Sequence, residues 1–176
     1  MSFWTENSLE PRRSFRFRLG STNGLELGDT GRSPYWWTAK KVDKPSFSIN
    51  SNKYRLINHE INVPGIVSWN PINIEIVDVG KTVTDLLSQL SAFGYNPQEL
   101  SNDKGLEKGS GLSEIGNIRI EQIKGGKKED GGGQVIETWK LEGAFITEIR
   151  FGNLDYSSDE IVTLNLTVTY DYAYLD

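Results

Sequence analysis

Period-two alternation dominates this chain. Near the C-terminus Val162, Leu164, Leu166, Val168 and Tyr170 are apolar, and Thr163, Asn165, Thr167 and Thr169 lie between them. A strand sends successive side chains to opposite faces, so the segment Ile161 to Asp171 has one core face and one face that is polar, small and uncharged. Phe15, Phe17 and Leu19 alternate with Arg16 and Arg18 in the same way. Tyr35 to Lys41 reads as a second strand, closed by Pro45. Phe47 and Ile49 begin a third, which Tyr54, Leu56 and Ile57 continue less regularly. Ile72, Ile74 and Ile76 alternate with Asn73 and Glu75 and predict a strand to about Val79, with Pro71 at its start where no central ladder bond is lost. Ile118 and Ile120 start another strand, and Val135 to Leu141 forms one more.

One stretch changes period. Leu86, Leu87, Leu90 and Phe93 fall at helical spacing, Thr82 and Asp85 resemble a capping box, and Gly94 suits a left-handed C-terminal cap. Together they predict a helix over about residues 83–93. Asn96 and Pro97 are placed to open a second, short helix. Asn23-Gly24 is a turn signal in a loop that runs to Pro34. The glycine- and charge-rich stretch over 124–133 reads as a flexible tip, and residues 1–13 as an N-terminal arm. No repeat or domain boundary interrupts 1–176. The expected fold is mainly β: a single antiparallel β-sandwich or barrel of about seven or eight strands with one flanking α-helix.

Composition changes the picture in three ways. Hydrophobic residues make up 36% and mean hydropathy is −0.46, which suits a chain with long loops or with surface that is buried on assembly. Net charge is −5 and the pI about 5.0, which argues against tight nucleic-acid binding. There is no cysteine, hence no disulfide frame and no thiolate chemistry. No apolar run approaches the roughly 18 residues of a membrane span, and the N-terminus lacks the apolar stretch of a secretory signal. The expectation is a soluble chain made in the cytoplasm.

Candidate chemistry is sparse. His59 is the only histidine, and its flanks show no nucleophile elbow, so neither a catalytic triad nor a histidine-rich metal site has support. Asp155, Asp159 and Glu160 surround Tyr156 and Ser157 and read as a turn, with an oxygen-ligand calcium site as the alternative. Arg12, Arg13, Arg16 and Arg18 form a basic patch, read either as a contact with another subunit or as a solvated strand face. Trp36 and Trp37 are adjacent, so on a strand one is core and the other points outward, to a protein interface or a sugar. With Trp4, Trp69 and Trp139 they keep a carbohydrate-binding β-sandwich open as an alternative.

Two segments carry a resemblance. In IETWKLEGAFITEIRFGNLDYSSDEIVTLNLTVTYD (136–171), Trp139 leads into a turn over Leu141 to Phe145. A second turn over Leu154 to Glu160 follows, then an alternating strand that ends in Tyr170-Asp171. In INVPGIVSWNPINIEIVDV (61–79), a glycine-bearing loop is followed by a Trp, a strand ending in Asp and then the helix. In order and spacing these resemble tail tube proteins of contractile-tailed phages. Residues 95–116 and 124–133 match no motif of that family, and the N-terminus to Pro34 matches only as a strand and a loop. The main tube subunit, a tube initiator or terminator, and the tube of a secretion or injection system therefore all remain open.

The resemblance implies a tail-tube-like fold and a structural, non-catalytic subunit without cofactor. It implies six-membered rings stacked into a hollow tube in a virion tail, made in the host cytoplasm. Its partners would be further copies of itself, a contractile sheath, a tape-measure protein, and baseplate and terminator proteins. Double-stranded DNA would pass through unbound. If about four strands per subunit line the bore, about 24 strands spaced ~4.8 Å and tilted ~40–45° give a backbone diameter of roughly 50 Å. Side chains narrow that to a bore of roughly 40 Å. In such a tube the face of Thr163, Asn165, Thr167 and Thr169 lines the lumen, packs on a neighbouring subunit or stays solvated. Arg12, Arg13, Arg16, Arg18, Trp36 and Trp37 are candidate intersubunit contacts. The loop from Asn23 to Pro34, the stretch His59 to Ile66 and the arm are candidates for docking on the next ring.

Overall fold

A computed structural model describes residues 12–21, 38–92, 95, 117–124, 134–157 and 159–176. Among them the chain runs β1 (Phe17–Ser21), β2 (Ala39–Val42), β3 (Ser46–Leu56), β4 (His59–Asn70), β5 (Ile72–Val77), α1 (Thr82–Ala92), β6 (Asn117–Lys124), β7 (Gln134–Glu142), β8 (Phe145–Arg150), β9 (Thr163–Thr169) and β10 (Tyr172–Leu175). A first sheet has the order β1-β6-β7-β10, a second β2-β5-β9-β8, and β3 with β4 forms a separate two-stranded sheet. Every pairing is antiparallel. The expected mainly β fold with one helix is the one observed.

The alternation sets the core. In the second sheet Ile72, Ile74 and Ile76 pair with Val168, Leu166 and Leu164, all buried. In the first sheet Ile118 pairs with Leu141, which pairs with Ala173, and Leu19 pairs with Ile120. These residues make one continuous cluster, to which Leu86 and Val83 of α1 are added. Opposite residues of an antiparallel pair share a face, so each sheet is apolar on its inner side only.

Several boundaries differ from expectation. The strand read over Ile161 to Asp171 is β9, which ends at Thr169, and an unexpected further strand, β10, follows it and joins the first sheet beside β7. The crossing is fixed where Gly143, at φ 65°, leaves no room for a Cβ against the Asp171 carboxylate. The Asp171 N–H also donates to the Glu142 carbonyl at 3.0 Å. Strand β8 fills the stretch between the two predicted turns, to which no element was assigned. The stretch His59 to Ile66, read as a docking loop, is strand β4. Helix α1 begins as predicted, but its capping box does not form. The buried Thr82 hydroxyl turns back to the Val79 N–H and carbonyl, both at 3.2 Å, away from Asp85. Leu87, expected on the apolar stripe, is exposed. Phe93, Gly94 and the short helix at Asn96 lie outside the described residues, as do the 125–133 part of the tip, the loop from Asn23 to Pro34 and residues 35–37 of the predicted second strand, whose remainder overlaps β2.

Ile74 is fully buried and Ile57, at the β3–β4 turn, fully exposed. Ile74→Ala is expected to cost about 2–5 kcal/mol, and Ile57→Ala to stay within about 0.5 kcal/mol, compared by urea denaturation of the monomeric chain.

Candidate assembly surfaces

The hairpin of β3 and β4 is the least buried element described. All of β3 is exposed, and in β4 only Gly65 and Trp69 are not. Its base is anchored by aromatic packing: Phe47 and Trp69 are paired and meet edge to face at 5.2 Å, and Trp69 lies 5.8 Å from the buried Tyr170. The register then shifts between Ile49 and Ser51, where Gly65 and Ile66 of β4 stand opposite Asn50. The extra residue of β4 follows directly on Pro64, which has no ladder donor. A side chain at Gly65 would meet the Asn50 carbonyl at 2.9 Å. Along β3 the apolar residues pass from odd positions, Phe47 and Ile49, to even ones, Tyr54 and Leu56, and so to the other face, and the extra residue of β4 carries Ile61 and Val63 to that same face. Beyond it, Tyr54 faces Ile61 and Val63 follows on the same side, while Lys53 and Glu60 form an ion pair on the opposite side. An isolated two-stranded hairpin is at best marginal in water, and this one ends in an unburied apolar stripe.

The second surface is the outer face of the second sheet. Thr163, Asn165, Thr167 and Thr169 all lie on it, as the alternation requires. The Thr167 hydroxyl bonds Asn73 Oδ1 at 3.2 Å, and Thr169 and Thr147 hydroxyls lie 3.4 Å apart. The face is uncharged only along β9. Neighbouring strands add Lys40 and Glu75, paired at 2.9 Å, and Glu148 and Arg150, paired at 2.7 Å. The hydrogen bond from Lys40 holds the Glu75 carboxyl below its ordinary range. Charge of both signs thus flanks the small polar residues.

A third surface was not legible in the sequence. Between the edge strands β1 and β2 the two sheets part over a cavity of about 510 Å³. Its walls are Phe15, Phe17, Val42, Ile120 and Trp139. Beside it Glu137, nearly buried, accepts from Arg12, from Lys44 at 2.9 Å and from the Trp139 indole N–H. Burial, and then the charge of Arg12, hold the Lys44 ammonium below its ordinary range. Glu137 lies between apolar residues at Ile136 and Trp139, and only the pairing of β6 with β7 brings it to the N-terminal arginines.

The basic patch divides on folding. Arg12 holds Glu137, Arg18 holds the buried Glu121 at 2.8 Å, Arg16 lies 5.4 Å over the Phe15 ring, and Arg13 is exposed. Trp36 and Trp37 lie outside the described residues. His59 is exposed at the start of β4. Among the described residues no group of three His, Cys, Asp or Glu side chains is placed to hold a metal. Asp155 instead caps its own turn, accepting from the Ser157 N–H at 2.9 Å and hydroxyl at 2.7 Å. No helix among the described residues is long and apolar enough to cross a membrane.

The fold has known counterparts. A chain of the PVC sheath–tube complex of an extracellular contractile injection system superposes with a TM-score of 0.67 at 20% identity, covering 98% of each chain. A chain of the sheath/tube terminator of that system gives 0.65 at 17% identity, covering 95% of this chain and 97% of its own. A chain of the six-fold symmetrised anti-feeding prophage baseplate gives 0.63 at 12% identity, over 95% and 96%. No family model and no curated protein matches the sequence. At these identities the likeness establishes a tube-like fold shared with components of contractile injection systems.

Removing the Glu137 charge tests the cluster beside the cavity. Glu137→Gln is expected to destabilise the chain by about 1–3 kcal/mol, because a nearly buried ionised acceptor shared by three donors is lost, the half-exposed Arg12 and Lys44 keeping the effect toward the lower end. The shift in urea midpoint measures it.

Proposed function

We propose that the chain is a structural subunit of the tube of a contractile injection machine, either of the tube itself or of its terminator. Copies close into six-membered rings that stack within a sheath. The observation that carries this reading is the β3–β4 hairpin, whose apolar outer stripe has no cover within the described chain. A surface of that kind is completed by another copy. The reading is supported by end-to-end likeness to chains from a sheath–tube complex, a tube terminator and a six-fold baseplate. The same likeness favours an injection-system tube or terminator over a phage tail tube that conducts DNA. A charge-balanced sheet face also has no special need for a DNA cargo. Sheath, baseplate and cap components are the partners this role implies, and no catalysis is involved.

Negative-stain microscopy of concentrated protein is expected to show six-fold rings or short tubes about 80–100 Å wide, a 50 Å barrel with outer layers of roughly 10–20 Å on each side. Ile57→Asp and Ile66→Asp, both at exposed hairpin positions, are expected to abolish these assemblies at unchanged melting temperature. A wild-type chain that stays monomeric at high concentration sinks the proposal.

Thr167→Lys separates two roles for the β9 face. If that face lines the lumen, rings of the variant assemble normally and carry six added charges inside. Loss of assembly with an intact monomer assigns the face to a contact between subunits.

A further inference from the structure

The cavity between β1 and β2 has a counterpart on the same molecule. The loop after β8 carries Leu154, 90% exposed, and Tyr156, fully exposed. Asp155 between them is spent on the turn that presents them, and its bonds to Ser157 keep its carboxyl below the ordinary range. Asp159 and Glu160 follow, so the loop is apolar at its tip and acidic around it. The cavity is the reverse. Its walls are largely apolar, and its surroundings carry Arg12, Lys40, Lys41 and Lys44 against the carboxylates Glu75, Glu137 and Glu121, the last of these held by Arg18 and Arg119. Lys41 is exposed and has no ion pair among the described residues. Its volume of about 510 Å³ lies within the ~300–1,000 Å³ of natural binding clefts. This basic rim stands on a chain of net charge −5.

Position excludes self-docking. Strand β2 is one edge of the second sheet and β8 the other, with β5 and β9 between. Val42, on the cavity wall, pairs with Ile74 in the middle of β5, whereas the loop leads from the far edge strand β8 into Thr163, which pairs with Val77. Knob and socket thus lie on opposite edges of one sheet. Complementary patches at different places on one molecule make a heterologous contact, which closes into a ring when the rotation allows.

We infer that Leu154 and Tyr156 of one copy seat in the Phe15–Trp139 cavity of the next, with the loop's acids facing the lysines of its rim. The inference rests on the ring reading above and names one contact around the ring. The apolar anchors supply affinity, and the charges set orientation and suppress reversed pairing.

The chain contains no cysteine, so paired substitutions report this contact directly. In Phe15→Cys/Tyr156→Cys, at two exposed positions, an oxidant or a short bismaleimide is expected to trap a ladder of covalent multimers. Either single variant should give nothing beyond a covalent dimer. Leu154→Ala/Tyr156→Ala is expected to weaken self-association at least about tenfold at unchanged melting temperature, and Lys41→Glu to weaken it most at low salt. Rings that form in the double-cysteine variant without a ladder, or association untouched by the alanine pair, overturn the contact and leave the tube reading standing. A wild-type chain that never assembles overturns both.

Discussion

The structure depends on burying one face of each four-stranded sheet against the other. Ile74 beside Leu166 and Ile76 beside Leu164 on one sheet meet Ile118 beside Leu141 on the other. Because side chains alternate, a slip of one residue in β9 would bring Thr163, Asn165, Thr167 and Thr169 into the core and expel Leu164, Leu166 and Val168. Register is therefore held by hydrophobic burial, and the polar outer face is its unavoidable complement. The same constraint explains the crossing at Tyr170 and Asp171. The last strand can bury Ala173 only by leaving the second sheet and pairing with β7, and Gly143 makes room for that passage.

The hairpin obeys a different rule. Only Phe47 and Trp69 at its base reach the sandwich, through Tyr170. Past the register shift its apolar residues turn to the other face, so the core can no longer cover them. A hairpin that served only its own chain would gain nothing from Ile61 and Val63 there. Anchoring at the base fixes the direction of the arm, and the face switch sets which side it offers to a partner. Rigid support with an uncovered tip suits a subunit that reaches beyond its own body.

Much of this was legible in the sequence wherever one face was buried. The alternation in β5, β6 and β9 and the helical spacing at Leu86 predicted elements close to those observed. Legibility failed where burial on one side was missing. In β4 the stretch around Gly65 read as a loop, since no clean alternation surrounded it, yet a register shift at Gly65 and Ile66 keeps it within a strand. Strand β8, an edge strand with its own irregularity between Ile146 and Glu148, was given no element for the same reason. The β9 polar face was found, but the charges beside it were not, because they come from β2, β5 and β8 through sheet order. The cavity walls come from β1, β2, β6 and β7, and no local pattern brings Phe15 to Trp139. Pairing across distant segments is what sequence spacing does not encode.

Open edges give these surfaces a common logic. Sheet order makes β1 and β10 the edges of one sheet and β2 and β8 those of the other, each without a second strand partner among the described residues. Such edges invite uncontrolled pairing unless they are covered, charged or closed on one another. Lys40 and Lys41 on β2, with Glu148 and Arg150 on β8, make indiscriminate edge-to-edge stacking unfavourable. A contact that joins unlike edges instead, an apolar anchor from beyond β8 into a cleft beside β2, satisfies both sides at once. Each copy then offers what the next requires, and the chain of contacts ends only when the first copy is reached again. For a sandwich with two unlike open sides, such a contact covers both, and it closes into a ring when the rotation between copies allows.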